Sequence, residues 1–212
     1  IMISVIVPVY NEEKTLAKAL DSLKGYQNTE VVIVDGGSLD KTKEILQEYP
    51  VKKVYTQKNR AQQLNAGAGV AQGRILLFLH ADCRPEEGSQ DAIRACIDKG
   101  YVGGCLKQRI DQSKIIYRLI ESSGNIRAKL SKTFYGDQAI FVRRDVFFKV
   151  GGFGKMELFD DVVFSRKIRR EGKTCVLDKK VYSSARRWEK QGIVKTTIKN
   201  WLLSLGFHLG VS

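Results

Sequence analysis

Proline is scarce in this chain, three residues in 212, and cysteine and histidine number only four and two. Few prolines beside an apolar fraction of 43% exclude a disordered chain, which is poor in side chains that seek burial. Cys83, Cys96, Cys105 and Cys175 form no C-x-x-C pair, and only His80 and His208 stand ready to join them. Neither a zinc site nor a disulfide framework is expected, and the thiols read as free in a reducing cytoplasm. No run of about 18 apolar residues occurs, so no membrane-spanning helix is expected. The opening I-M-I-S-V-I-V-P-V-Y lacks the basic flank and cleavage site of a signal peptide and reads as a core strand.

A surplus of acid is missing too. The net charge is +13, and all of it lies in the second half: residues 1–106 carry 13 basic and 13 acidic side chains, residues 107–212 carry 23 and 10. Such a balance favours anionic partners: a diphosphate, an anionic lipid surface or nucleic acid. The length suits one large domain.

What is present is alternation. Strand patterns cover residues 3–9, 31–34, 51–55 and 75–79, and helical patterns cover 12–23, 41–49, 60–71 and 87–98. Alternating strands and helices predict an α/β fold with a mostly parallel, right-handed central sheet. Beyond it the pattern predicts strands at 102–110, 138–142 and 174–177, and helices at 114–130, 145–150, 161–171 and 193–209. No linker separates the halves, so residues 1–212 read as one domain: a binding half at 1–106, a second half at 107–192, and an amphipathic helix at 193–212.

Three acids follow apolar runs: Asp35 after V-V-I-V, Asp82 closing L-L-F-L-H-A-D, and Asp161 in E-L-F-D-D. In an open α/β sheet ligands bind beyond the carboxyl ends of the strands, and acids gathered there suit a divalent cation carrying phosphates. Asp82 is the candidate ligand for magnesium or manganese, with His80 placed to hydrogen-bond a ligand. The two glycines after Asp35 permit a tight turn and a close backbone approach. Arg60 and Gln63 open a helix whose N–H groups favour an anion. Asp160 and Asp161 are adjacent acids, and such neighbours raise one another's pKa, which suits a general base. In S-A-R-R-W-E-K-Q-G, Arg187 is a candidate phosphate clamp and Trp188 a platform for a sugar face. The last helix puts Val194, Ile198, Trp201, Leu202, Leu205 and Leu209 on one side, which suits either packing on the domain or an anionic membrane surface.

In order, S-V-I-V-P-V-Y-N-E-E, V-V-I-V-D-G-G-S-L-D, L-N-A-G-A-G-V-A-Q-G-R-I-L-L-F-L-H-A-D, R-R-D-V-F-F-K-V-G-G-F and F-D-D-V-V-F-S-R-K-I-R-R-E-G resemble the family 2 glycosyltransferases of GT-A fold, across residues 3 to 190. H-A-D stands where the family has D-x-D, a variant that resembles a small bacterial subgroup. The resemblance implies an inverting transfer of a sugar from a UDP-sugar, or from GDP-mannose, to an acceptor hydroxyl, with manganese or magnesium as cofactor. It implies a nucleotide pocket lined by Pro8, Tyr10 and Glu12, with Asp35 on the base and Arg60 beside it. Asp82 matches the last acid of D-x-D and His80 replaces the first. Asp161 matches the base, with Asp160 in place of the family's glutamate. Arg187 and Trp188 resemble the end of Q-x-x-R-W, although Ser184 stands where the glutamine would be. Asp137 and Gln138 are expected on the acceptor side, and the chain is expected in the cytoplasm or on the inner membrane face.

Three other readings compete. A nucleotidyltransferase would carry a glycine-rich basic loop where P-V-Y-N-E-E stands. A nucleic-acid-binding protein fits the charge, but no recognised module for that role occurs. A non-catalytic sugar-nucleotide binder would keep the pocket and lose the base.

Overall fold

The computed structural model describes residues 1–154, 156 and 158–208, the side chains of 187, 205 and 208 excepted. Among the described residues eight strands form one sheet: β1 (Ile3–Val9), β2 (Thr29–Asp35), β3 (Lys52–Tyr55), β4 (Ile75–Phe78), β5 (Cys83–Pro85), β6 (Gly103–Ile110), β7 (Phe141–Arg143) and β8 (Thr174–Ser183). The helices are α1 (Leu16–Asp21), α2 (Thr42–Gln47), α3 (Arg60–Val70), α4 (Ser89–Asp98), α5 (Ile115–Ser131), α6 (Arg144–Lys149), α7 (Asp160–Glu171), α8 (Arg186–Gln191) and α9 (Ile193–His208). A 3₁₀ turn covers Gly136–Gln138.

The strand order is β3-β2-β1-β4-β7-β6-β8-β5. The first four run parallel, as the alternation predicts. β7 lies antiparallel to both β4 and β6, β8 returns parallel to β6, and β5 is an antiparallel edge. Proline is tolerated in β5 because an edge strand need not use every N–H. β8 extends well past the 174–177 run because it pairs β6 on one side and β5 on the other through Ser183. α1 starts later than residue 12: the N–H groups of Glu12 and Glu13 go to Thr42 Oγ1 and an Asp40 carboxylate oxygen, pinning this loop to the start of α2 instead of opening a helix.

Both faces of the sheet are covered. Ile3, Val5, Val7, Ile33, Leu77 and Phe141 pack under α1, α2 and α4, while Ile6, Val34, Leu76 and Phe78 pack under α3, α6 and α7. α3 lies so close that a Cβ on Gly67 would stand 2.5 Å from Ile6 Cγ2. Phe78, Phe147, Phe153 and Phe164 form an aromatic nest, with the Phe153 and Phe164 centroids 4.3 Å apart. That nest seats α7, and with it the acids at its start.

Candidate active site

The strand directions assemble the site. β1, β2, β4, β6 and β8 all point their carboxyl ends to one edge. The residues just past those ends, among them Glu12, Asp35, His80, Asp82 and Arg186, collect there. β7 runs the other way, so the turn before it, with Gly136 and Asp137, reaches the same edge. α7 leads back into parallel β8 and therefore starts at that edge too, with Asp160 and Asp161.

Asp35 is buried, and its Oδ1 accepts the Ser38 N–H at 3.0 Å and the Ser38 hydroxyl at 2.5 Å. Its Oδ2 is buried with no hydrogen-bond partner among the described residues, which leaves an acceptor for a ligand's donor. Pro8 and Tyr10 are half-buried beside it, and Lys58 Nζ sits 4.1 Å from the Tyr10 ring centre. Gln63 does not offer itself to an anion. It is buried and donates to Val9 O and Val34 O, tying the ends of β1 and β2 together.

Asp82 and Glu12 share one cation, Arg186. Its Nη1 and Nη2 each lie 2.6 Å from a Glu12 oxygen, and its Nε lies 3.4 Å from Asp82 Oδ2. The sequence reading named Arg187 for this place; its side chain lies outside the described residues. Burial raises the Asp82 carboxyl above the usual range, and nearby Glu12 adds to this while Arg186 opposes it. Trp188 packs edge-on against Tyr117, centroids 6.2 Å apart, beside Ile116, Ile120 and Ile193. The cleft at Asp82 is lined also by Lys14, Thr15, Lys18, Arg84 and Tyr182. Among the described residues no three His, Cys, Asp or Glu side chains converge as a metal site. Magnesium-type ions are nonetheless commonly held by one or two carboxylates, with water and phosphate filling the rest. Asp82, one-fifth exposed and with Glu12 across the guanidinium, fits that minimal set.

A second arginine organises the other acids. Arg60 Nη1 lies 2.6 Å from Asp160 Oδ1, and its Nη2 lies 3.9 Å from Asp161 Oδ2 and 3.3 Å from His80 Nε2. Burial, then Arg60 and Arg186, holds the His80 imidazole down at about 3. It is therefore neutral at ordinary pH, with Nε2 an acceptor for the guanidinium. Asp160 is raised by burial against the pull of Arg60. Asp161 Oδ2 accepts the Gly136 N–H at 2.5 Å and its Oδ1 the Val162 N–H at 2.8 Å, so the carboxylate is aimed and partly exposed. A Cβ on Gly136 would stand 2.0 Å from Arg60 Nη2 and 2.7 Å from His80 Nε2, so any side chain here would have to displace the guanidinium.

Asp137 is half-buried and pushed up to about 6, chiefly by burial and next by Asp161. Gln108 Nε2 donates to it at 2.7 Å. Gln138 is buried, its Oε1 accepts the Tyr135 N–H at 3.1 Å and its Nε2 reaches Asn125, so it closes the turn. Asp82 and Asp161 are thus held by different arginines, with His80 in the field of both. Sequence reasoning missed Arg186, Gly136 and Gln108; of these only Arg186 left a sign, as one of two adjacent arginines.

The family model described as Glycosyl transferase family 2 matches residues 4–159. The chain is 30% identical over 170 residues to Glycosyltransferase AglE of Haloferax volcanii, covering 71% of this chain and 55% of that protein. It is 34% identical over 90 residues to Glycosyltransferase GlyG of Streptococcus pneumoniae, covering 38% and 30%. The chain therefore spans about half or less of these curated relatives. Among solved structures, S. aureus TarS superposes with a TM-score of 0.71 at 20% identity, over 87% of this chain and 37% of that one. Mannosyltransferase PcManGT from Pyrobaculum calidifontis, in complex with GDP-Man and Mn2+, superposes with a TM-score of 0.70 at 22% identity, over 85% and 56%. The fold is the GT-A fold of these neighbours.

Proposed function

The chain belongs to glycosyl transferase family 2, and from that premise we propose that it moves a sugar from a nucleoside-diphosphate donor to an acceptor hydroxyl with inversion. The observation that carries this reading is Asp161, a partly exposed carboxylate held by the Gly136 and Val162 N–H groups at the sheet edge where the acids collect. A carboxylate fixed in that way is poised to take the acceptor's proton as the hydroxyl attacks the anomeric carbon. Arg60 fixes Asp160 beside it, and neutral His80 accepts from Arg60 without adding charge. Asp35, with its unpartnered buried oxygen, is the anchor for a donor group of the base, next to Pro8 and Tyr10.

Asp82, with Glu12, would hold manganese or magnesium, which when bound supplies positive charge to the departing diphosphate. Arg186 offers a second cation for that diphosphate once it leaves Glu12. UDP and UDP-GlcNAc are bound in solved structures of S. aureus TarS 1–349, which resembles this chain with TM-scores of 0.66 and 0.67; GDP-Man occupies PcManGT. UDP-sugars are the first donors to try and GDP-mannose the next. The test is a panel of nucleotide sugars with manganese, scored by release of the nucleoside diphosphate. Release from one donor, abolished in Asp161→Asn, supports the reading. Release from none, with no binding either, refutes it. A nucleoside triphosphate turned over in place of a nucleotide sugar would favour a nucleotidyltransferase.

A further inference from the structure

Two helices carry apolar stripes that the domain does not bury. On α5 the inward positions are Tyr117, Glu121 and Ala128. Ile115, Leu119, Ile126 and Leu130 fall on the opposite side and are 57–79% exposed. On α9 Thr196 is buried, while Val194, Ile198, Trp201 and Leu202, at helical spacing on the far side, are 50–63% exposed. An amphipathic helix normally turns its apolar stripe inward, and these turn theirs outward.

The stripes share one surface. Ile193, at the start of α9, packs against the same small apolar cluster, around Tyr117, as Ile116 and Ile120 of α5. Eleven residues on, Ser204 Oγ pairs with Tyr135 Oη at 2.7 Å, and Arg127 of α5 lies over that Tyr135 ring. α9 therefore runs alongside α5 in the same direction. Exposed apolar stripes on neighbouring helices mark an interaction site. Its surroundings are basic: Lys114 and Lys129 by the α5 stripe and Lys190, Lys195 and Lys199 by the α9 stripe are exposed, against the exposed acid Glu189. A second copy of the chain would press these cations against each other, whereas anionic headgroups would neutralise them while the apolar stripes enter the acyl boundary.

We propose that the joint outer face of α5 and α9 docks on an anionic membrane surface. The proposal stands apart from the transferase reading, since neither stripe belongs to the active site. It does place that site at the bilayer's edge: Phe207 of α9 stacks on Phe159, centroids 4.7 Å apart, and Phe159 immediately precedes Asp160.

The experiment is co-sedimentation of the whole chain with phosphatidylcholine vesicles, with and without phosphatidylglycerol. Binding is expected with phosphatidylglycerol and lost at high salt. Leu119→Asp with Ile126→Asp should weaken it at least about ten-fold, since apolar contact is lost and like charge is set against the headgroups. Lys195→Glu with Lys199→Glu should reduce binding to the anionic vesicles alone. All four positions are on the surface, so the melting temperature should hold and report that the variants fold. No sedimentation at low salt, or binding indifferent to both double variants, overturns the proposal. So does a dimer that the α5 variant dissolves in a chain that ignores vesicles.

Discussion

Arg186 holds Glu12 with both terminal nitrogens, each at 2.6 Å, across 174 residues of chain. The pair joins the loop after the first strand to the helix after the last, and the Nε of the same guanidinium reaches Asp82. With its side chain 46% exposed, it is worth at most about 1 kcal/mol of stability. Arg186→Gln should therefore melt within a few degrees of the parent. It should nonetheless weaken binding of a nucleoside diphosphate by about ten-fold or more, because a charge-assisted partner for the phosphates is gone. Calorimetric titration checks this; unchanged affinity would remove Arg186 from the donor site.

Arg60 plays a different part. Its partner Asp160 is only 6% exposed while the arginine side chain is 32% exposed. Arg60→Met leaves a buried carboxylate unpaired, which should cost about 2–3 kcal/mol, below the usual 3–5 for a fully buried pair because water reaches the guanidinium. Chemical denaturation measures it. Arg60→Met with Asp160→Asn should recover part of the loss; if the double variant is no better than the single, the ion pair is not what Arg60 supplies.

Asp161→Asn should lower turnover about 100- to 10,000-fold, the range of a positioned general base, and leave donor affinity nearly unchanged. The amide keeps an oxygen for the Gly136 N–H, so the turn survives. Equal losses in turnover and donor affinity would assign Asp161 to binding.

Asp137 makes stability depend on pH. Its carboxyl is pushed up to about 6, while an unfolded aspartate titrates at about 3.9. Between those values the folded chain keeps a proton that the unfolded chain has released, so stability falls as pH rises through this window, and the loss is complete above about 6. Asp137→Asn should therefore raise the melting temperature at pH ~7.5 and raise it much less at pH ~4.5. An equal gain at both would place the cost in packing instead of charge.

Gly136→Ala tests the close approach of the turn. A methyl group there would meet Arg60 Nη2 and His80 Nε2, and Arg60 is pinned by Asp160, so it cannot yield without breaking that pair. Turnover should fall as Arg60 and Asp161 lose register, with a smaller stability loss than Arg60→Met. Wild-type turnover in this variant would show that the turn has room to spare.

The parallel half of the fold and the acids at its strand ends were legible because continuous apolar runs mark buried parallel strands and the chain's direction then says which end faces a ligand. That reading puts Asp35 and Asp82 just at or past strand ends, where the structure has them. Arg186 was not legible: consecutive helical residues point about 100° apart, and no pattern in S-A-R-R-W says which arginine turns inward. The packing of Trp188 is hidden for a related reason, since a tryptophan beside arginines reads alike whether it faces solvent or packs on Tyr117. β5 was hidden because three residues ending in proline carry no period. Gly136 and Gln108 were out of reach because their roles depend on chain that arrives from far along the sequence.

Donor recognition is the claim on which the rest stands, and ligand-induced stabilisation of the unmodified chain tests it most directly. With manganese present, UDP or GDP at about 100 times its dissociation constant should add about 2.7 kcal/mol, or about 5–10 °C in melting temperature. No shift with UDP, GDP or their sugar conjugates at saturating concentration would contradict the account.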